Sequence, residues 1–310
     1  MLTFDKMKIV ASLNAVKICD EDRFGKTVKN GVVTAMNYYQ EAPYLLRMKI
    51  DYERDEFVIE FTGKVLGKDY PKLISIDTIG NCFDNIAELG IVVIDKEVMM
   101  NAAVVKCDVA IDIDLNDIPQ LTSYVRGHLS NYRKYLCREM KNGNLIIEKN
   151  VTDKDYKKRL TIYDKGKEMN KKSNTKYLEA NGLYDAFTGK CRFEMNLNTK
   201  EQIRKSLNID DTRLEAVLSA RKNPIREFLD EVIKEETGQI KVSDKNSYLI
   251  SLVLKDCDYD LAKVEAKMRE LHRGKRGTSI KKIMEPYRLA LYGFPMQDTF
   301  SMDKIREQLQ

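Results

Sequence analysis

Apolar and polar residues alternate along three separated stretches, Val104–Leu115, Arg159–Lys165 and Arg192–Leu197. Side chains of a strand alternate faces, so each stretch predicts a strand with one apolar and one polar face. In the first, Val109, Ile111, Ile113 and Leu115 oppose Asp108, Asp112 and Asp114. In the second, Leu160 and Ile162 oppose Arg159, Tyr163 and Lys165. In the third, Phe193, Met195 and Leu197 oppose Arg192, Glu194 and Asn196. If the three strands share a sheet, their polar faces join, and carboxylates, a tyrosine and a lysine meet on one surface. Leu46–Tyr52 and Phe57–Phe61 alternate in the same way around Glu53-Arg54-Asp55, which predicts a hairpin.

Other segments carry helical spacing. Ile79, Cys82, Phe83, Ile86 and Leu89 recur up to a stop at Gly90. Ile118, Leu121, Val125, Leu129, Tyr132 and Leu136 predict a helix, in one piece or two, ending at Asn142-Gly143. Leu145–Ile147 then pairs with Arg159–Asp164, and Lys165–Tyr177 reads as loop or frayed helix. Beyond Asn198 the texture is helical. Thr199 and Gln202 have capping-box spacing, Asp211–Arg221 predicts a short helix, and Asn223-Pro224 marks a further start. Two amphipathic helices follow around Leu261–Leu271 and Ile280–Met284, the second kinked by Pro286. The expected fold is α+β: antiparallel sheet covered by helices on one face, a polar catalytic face on the other, then a helical C-terminal domain. The expected division is residues 1–198, in two lobes of 1–100 and 101–198, and a helical domain of 199–310 for DNA binding or packing.

A chain of 310 residues with a hydrophobic fraction of 43% has room for such a two-part globular architecture. The net charge of +5 is unevenly placed. Lys154–Lys176 carries nine Lys/Arg against three acids, and Lys267–Lys282 seven against one. Each block alone reads as a solvated face; two of them beside acidic strand faces point to a polyanionic partner. The six cysteines form no CxxC pair, so a structural zinc site is not expected. The N-terminus lacks the apolar core of a signal peptide and no run is long enough to cross a bilayer. A reducing cytoplasm with free thiols is the expected setting.

The polar strand faces carry the candidate chemistry. Asp108 and Asp112 lie about 13 Å apart along a straight strand, too far for one ion to join. Asp108, deeper in the strand, is the favoured metal ligand, with Asp112 orienting a partner. Glu194 is the second ligand candidate; an Arg192–Glu194 surface pair is the plain alternative. Carboxylates with no histidine nearby favour Mg²⁺ or Mn²⁺ over Zn²⁺. Tyr163 is the candidate nucleophile. A phenol of pKa near 10 is weak at neutral pH, so Lys165 or a metal is expected to favour its phenolate or neutralise the transition state. His128 and His272 form no pair, and no P-loop or dinucleotide glycine motif is present.

The order CDVAIDIDL, RLTIYDKGKEM, CRFEMNLNTKEQIRKSLNI resembles the rolling-circle replication initiators of small plasmids and filamentous phages. It looks most like the phage gene II/X replication proteins, with a similar pattern to Rep_trans-type plasmid initiators. The resemblance covers residues 102–210. It matches the family's Asp strand at Asp108, its Tyr-x-Lys strand at Tyr163 and Lys165, and its Arg-x-Glu strand at Arg192 and Glu194; Glu168 stands where an acid often follows. Cys107, with Lys106 before it, departs from the basic residue that many members carry directly before the Asp. Residues 1–100 match nothing in the family.

The resemblance implies a nicking and strand-transfer enzyme. Tyr163 would attack a phosphate at a replication origin, keep the 5′ end as a phosphotyrosine and free a 3′-hydroxyl primer. Asp108 and Glu194, with Asp112 as the further candidate, would hold Mg²⁺ or Mn²⁺. Lys157, Lys158, Arg159, Arg192, Lys171, Lys172, Arg273, Lys275 and Arg276 would grip DNA. The implied partners are double- and single-stranded origin DNA, a host helicase and polymerase, and a second copy of the chain as a homodimer. Thr199–Ala220 has the outline of a helix-turn-helix, against which stand plain packing helices. A mobilisation relaxase, or a non-catalytic DNA-binding replication regulator, are the competing readings.

Overall fold

β1 (Phe4–Ser12) runs through the middle of an antiparallel sheet, so the first residues of the chain are structural core. The computed structural model describes residues 1–115, 118–131, 133–152, 157–233, 245–273, 279–293 and 302–309. The remaining strands are β2 (Val16–Ile18), β3 (Gly25–Lys29), β4 (Val32–Gln40), β5 (Leu46–Asp51), β6 (Glu56–Thr62), β7 (Val92–Ile94), β8 (Ala103–Asp114), β9 (Tyr135–Glu139), β10 (Leu145–Lys149), β11 (Arg159–Asp164) and β12 (Lys190–Leu197). The helices are α1 (Ile79–Ala87), α2 (Lys96–Met100), α3 (Ile118–Gly127), α4 (Lys165–Met169), α5 (Thr175–Asn181), α6 (Lys200–Leu207), α7 (Leu214–Leu218), α8 (Pro224–Val232), α9 (Lys245–Asp256), α10 (Leu261–Leu271), α11 (Ile280–Gly293) and α12 (Met302–Gln308). The protein is thus α+β, with a large antiparallel sheet and a helical C-terminal region.

The chain divides into two units, Met1–Asn116 with Asp153–Ile225, and Asp117–Thr152 with Arg226–Gln310. In the first unit the strand order is β3-β4-β5-β6-β1-β8-β12-β11. Each neighbouring pair is antiparallel. Residues 1–100 and 101–198 therefore do not form separate lobes. β1 pairs with β6 on one side (Ile9 opposite Ile59) and with β8 on the other (Met7 opposite Cys107), and joins both halves in one sheet.

One face of this sheet is apolar. Met7 and Ile9 of β1, Phe57, Ile59 and Phe61 of β6, Val109 of β8, and Phe193 and Met195 of β12 are all buried. Phe83 of α1 meets Phe61 edge-on at 6.3 Å. Burying one such aromatic or aliphatic side chain contributes roughly 1.5–3 kcal/mol. α6 opens with the cap read from the sequence: Thr199 accepts from the Gln202 N–H at 3.1 Å, while the Gln202 side chain reaches one residue past the cap and accepts from the Asn198 N–H at 2.7 Å.

The boundary expected near residue 199 lies at 225. The reason is local: Val104 N–H donates to the Thr212 carbonyl at 2.7 Å and Leu214 N–H to the Ala102 carbonyl at 2.9 Å. These bonds tie the segment between α6 and α7 to the start of β8. Ile203, Leu207, Leu214, Val217 and Leu218 are buried, the behaviour of packing helices.

In the second unit, α3 stops at residue 127 and Leu136 belongs to a strand. Asn142-Gly143 is a hairpin turn and not a helix stop: β9 pairs with β10, Cys137 opposite Ile147, and Gly143 has φ 81°. Asn-Gly is a strong signal for either feature, and the pairing of β9 with β10 decides for the hairpin. Leu254, Leu261, Val264, Met268, Met284 and Leu291 form a helical core there. Pro286 lies inside α11, which continues to Gly293. All six cysteines are free thiols. Among the described residues no helix is long and apolar enough to cross a membrane.

Candidate active site

Register brings the predicted polar residues onto adjoining positions of the opposite face. On β12, Asn196 stands opposite Asp108, Glu194 opposite Ala110, and Arg192 opposite Asp112 of β8. On β11, Thr161 stands opposite Glu194 and Tyr163 opposite Arg192. The Tyr163 hydroxyl donates to Glu194 Oε2 at 2.9 Å, and the Asn196 amide donates to Glu194 Oε1 at 3.2 Å. Asp108 is a diagonal neighbour of Glu194 across two paired strands. It is buried, and its Oδ1 has no hydrogen-bond partner. Tyr163, Glu194 and Asp108 thus form one cluster.

Electrostatics separates these three from their neighbours. Burial, then repulsion from Asp5 and Asp108, pushes the Glu194 carboxyl up to about 6. Burial also raises Asp108, against the opposing pull of Asn196 and Lys106. Burial and the Glu194 charge raise the Tyr163 phenol. This corrects the expectation that Lys165 favours the phenolate: in this state the phenol is held protonated, as the donor to Glu194.

Arg192 does not face a ligand. It is fully enclosed, with a fork of hydrogen bonds to Asp112, Nε to Oδ1 at 2.6 Å and Nη2 to Oδ2 at 2.7 Å. Its Nη1 donates to Asp5 and, at 2.9 Å, to the Tyr70 hydroxyl. Tyr70 in turn donates to Asp5 at 3.0 Å. Two expectations are corrected by this network. Asp112 has both oxygens engaged by a guanidinium and is not a metal ligand, and Arg192 is sealed from DNA. A hydrophobic cluster of Tyr70, Ala110, Met169, Tyr177, Leu183 and Phe187 covers this end of the polar face.

Lys165 is the first residue of α4, past the end of β11, because the Asp164 side chain caps that helix by accepting from the Lys167 N–H at 2.8 Å. A Cβ on the next residue, Gly166, would stand 2.9 Å from the Phe187 carbonyl oxygen, so glycine is what lets the turn close here. Lys165 is buried, 2.6 Å from Glu168, and its Nζ lies 5.7 Å from the Tyr163 ring centroid. Asp5, Tyr44, Lys64, Tyr163, Lys165 and Glu168 line a cleft of 610 Å³ beside the phenol.

The basic residues are spread. Arg159 and Lys157 are exposed near the start of β11, with Lys158 half-buried between them; Lys171 and Lys172 are exposed between α4 and α5. Arg273 is exposed after α10 in the second unit, and Lys275 and Arg276 lie outside the described residues. Sequence reasoning missed Asp5, Lys64 and Tyr70, which come from residues 1–100. No local pattern marks them: Asp5 is a single acid at a β-bulge in β1, and Tyr70 sits in a helical turn. Asn196 was legible from strand parity.

The donor set fits a hard divalent ion. Among the described residues no group of three or more His, Cys, Asp or Glu side chains converges as a metal cage. Mg²⁺ needs less, since it takes one or two carboxylates and fills its shell with water and substrate phosphate. Asp108 could supply one such carboxylate through its unpartnered Oδ1, whereas both oxygens of Glu194 are engaged, by Tyr163 and Asn196.

Asp5 and Glu168 are both held below the ordinary carboxylate range. Burial pushes each up, but Arg192, Lys165 and Tyr70 outweigh it at Asp5, and Lys165 outweighs it at Glu168. A carboxylate depressed by folding stabilises above its unfolded value, and that contribution is lost as pH falls. The urea midpoint should therefore drop steadily below about pH 4, and Asp5→Asn should flatten the slope. Midpoints measured at a series of pH values check this; an unchanged slope in the variant rules it out.

Comparison with known proteins yielded no matching family model, no matching curated relative and no matching solved structure.

Proposed function

We propose that the chain is a metal-dependent, origin-specific DNA nickase and strand transferase of the rolling-circle replication type, with Tyr163 as nucleophile. The observation that carries this reading is the Tyr163 phenol hydrogen-bonded to a carboxylate, Glu194, beside the unpartnered oxygen of Asp108. A phenol becomes a nucleophile when a base takes its proton in the transition state. Glu194 is positioned for that role, and its raised affinity for a proton suits it.

Tyr163 Oη bonds to the scissile phosphorus while its proton passes to Glu194 Oε2. The P–O3′ bond breaks, O3′ takes a proton from water, and the 5′ end stays on the enzyme as a phosphotyrosine diester. Attack by a later 3′-hydroxyl reverses the transfer and rejoins the strand. A divalent ion held by Asp108, with water and phosphate completing its shell, would neutralise charge on the non-bridging phosphate oxygens and leave Glu194 as the base. Lys165, committed to Glu168, orders the wall of the cleft beside the phenol.

One observation favours the non-catalytic alternative, a DNA-binding replication regulator: burial and the Glu194 charge oppose ionisation of the phenol. A covalent-capture experiment separates the two. The protein is incubated with Mg²⁺ or Mn²⁺ and supercoiled DNA carrying its origin, then digested with nuclease and protease. The expected result is nicked circles and a nucleotide mass on the peptide containing Tyr163. An adduct on another tyrosine relocates the nucleophile, with Tyr156, outside the described residues, the next candidate. Absence of any adduct favours the regulator.

A further inference from the structure

The polar face does not end at Asp108. It continues across β1, β6, β5 and β4, through the part of the chain that resembles nothing in the initiator family. Lys6 stands opposite Asp108, and Lys8 stands opposite Lys106 on the same pair of strands. Two lysines directly opposite on paired strands repel each other. Among the described residues neither Lys8 nor Lys106 forms an ion pair, whereas neighbouring Lys6 is paired with Glu60 and Lys49 with Asp51. Beyond them Arg47, also without an ion pair, lies over the Tyr39 ring at 4.9 Å. Tyr39 is 55% exposed. Lys8, Tyr39, Arg47 and Lys49 line a groove of 510 Å³, with Lys106 opposite Lys8 beside it; Glu56 and Glu60 are its acids, and Glu60 stands opposite both Lys8 and Arg47.

We infer that this groove is a track for single-stranded DNA, and that it presents the strand to Tyr163; the assignment rests on the nickase reading. Cations in excess of acids along the groove, Lys8, Arg47, Lys49 and Arg54 against Glu56 and Glu60, suit a phosphate chain, and an exposed aromatic ring braced by an arginine is a stacking platform for a base. The distance fits too. From β8 to β4 is four strand spacings, roughly 19 Å, enough for a few nucleotides. A duplex is too wide to bring one strand's phosphates and unstacked bases onto the same face at once.

The test is anisotropy of a labelled oligothymidine of roughly 20 nucleotides, longer than one such site, without metal so that cleavage does not enter. Lys8→Ala/Lys106→Ala should weaken binding about tenfold or more and make the salt slope shallower by about 1.4, the effect of two lost phosphate contacts on a single strand. Tyr39→Ala should weaken binding about tenfold while Tyr39→Phe, which keeps the ring, should not. Lys17→Ala, at the exposed residue of β2, is the control. Thermal melts verify that each variant folds, and the Tyr39 pair reads stacking even if the lysine pair proves unstable. Wild-type protein that fails to bind, folded variants that bind like wild type, tighter binding to duplex or to oligouridylate, or equal competition by polyglutamate would each overturn the track. Nicking assayed in parallel keeps the two proposals apart. Variants that bind and nick like wild type sink the track alone. Variants that lose binding beside a wild type that never nicks sink the nickase reading alone.

Discussion

Tyr163→Phe should abolish nicking and covalent attachment, with a rate loss of roughly 10⁴-fold or more, while the protein stays folded. The magnitude follows from removing a nucleophile that no neighbour replaces. The only atom lost is the hydroxyl that donates to Glu194 at 2.9 Å, so the stability change should be limited to about 1 kcal/mol. The variant should still bind single-stranded DNA, because the phosphate and base contacts proposed for β1, β8 and β4 are untouched. Gel analysis of supercoiled substrate, with anisotropy on the same preparation, measures both. Equal nicking by the variant would remove Tyr163 from the chemistry, whatever its hydrogen bond.

Arg192→Met should be the most destabilising single change at the site, by about 3–5 kcal/mol. That is the usual consequence of removing one partner from a buried charge network. The guanidinium joins three paired strands: it rises from β12, forks onto Asp112 of β8 and reaches Asp5 of β1. Without it Asp112 loses the guanidinium that engages both its oxygens, Asp5 keeps only the weaker pull of Lys165 and Lys64, and the Tyr70 hydroxyl loses a donor. Urea unfolding measures the loss. Adding Asp112→Asn to the variant should recover part of it, since the remaining burden is the unpaired charge. Arg192→Lys should rescue poorly, because an ammonium cannot form the fork. A loss below about 1 kcal/mol would show that water reaches these groups and that the enclosure is not electrostatically demanding.

Arg192 also shows where strand parity stops being informative. Parity assigned Arg192, Glu194, Asp112 and Tyr163 to polar faces, and the register bears that out. The same parity could not say which polar side chains meet solvent and which meet a second layer. The cover of Tyr70, Met169, Tyr177 and Phe187 comes from segments well separated in the chain, and it converts Arg192 and Asp112 from candidate ligand contacts into structural ones. Asn142-Gly143 failed differently. Its residues suit both a helix stop and a hairpin turn, and only pairing with Tyr135–Glu139 separates them.

From sequence alone came the alternation that makes β5, β6, β8, β11 and β12 strands with one chemical face, the capping of α6, and the trio Asp108, Tyr163 and Glu194. These are legible because period-two alternation and capping are local: each depends on side chains within a few residues of one another. Tertiary structure alone decided that β1 would join the two halves, that Asp5 and Tyr70 would close around Arg192, and that the polar face would continue to Tyr39. Those outcomes depend on which strand edges pair across a hundred residues or more. A backbone edge carries the same donors and acceptors whatever its sequence, so the choice of partner is made by burial of the whole apolar face and cannot be read from any one strand.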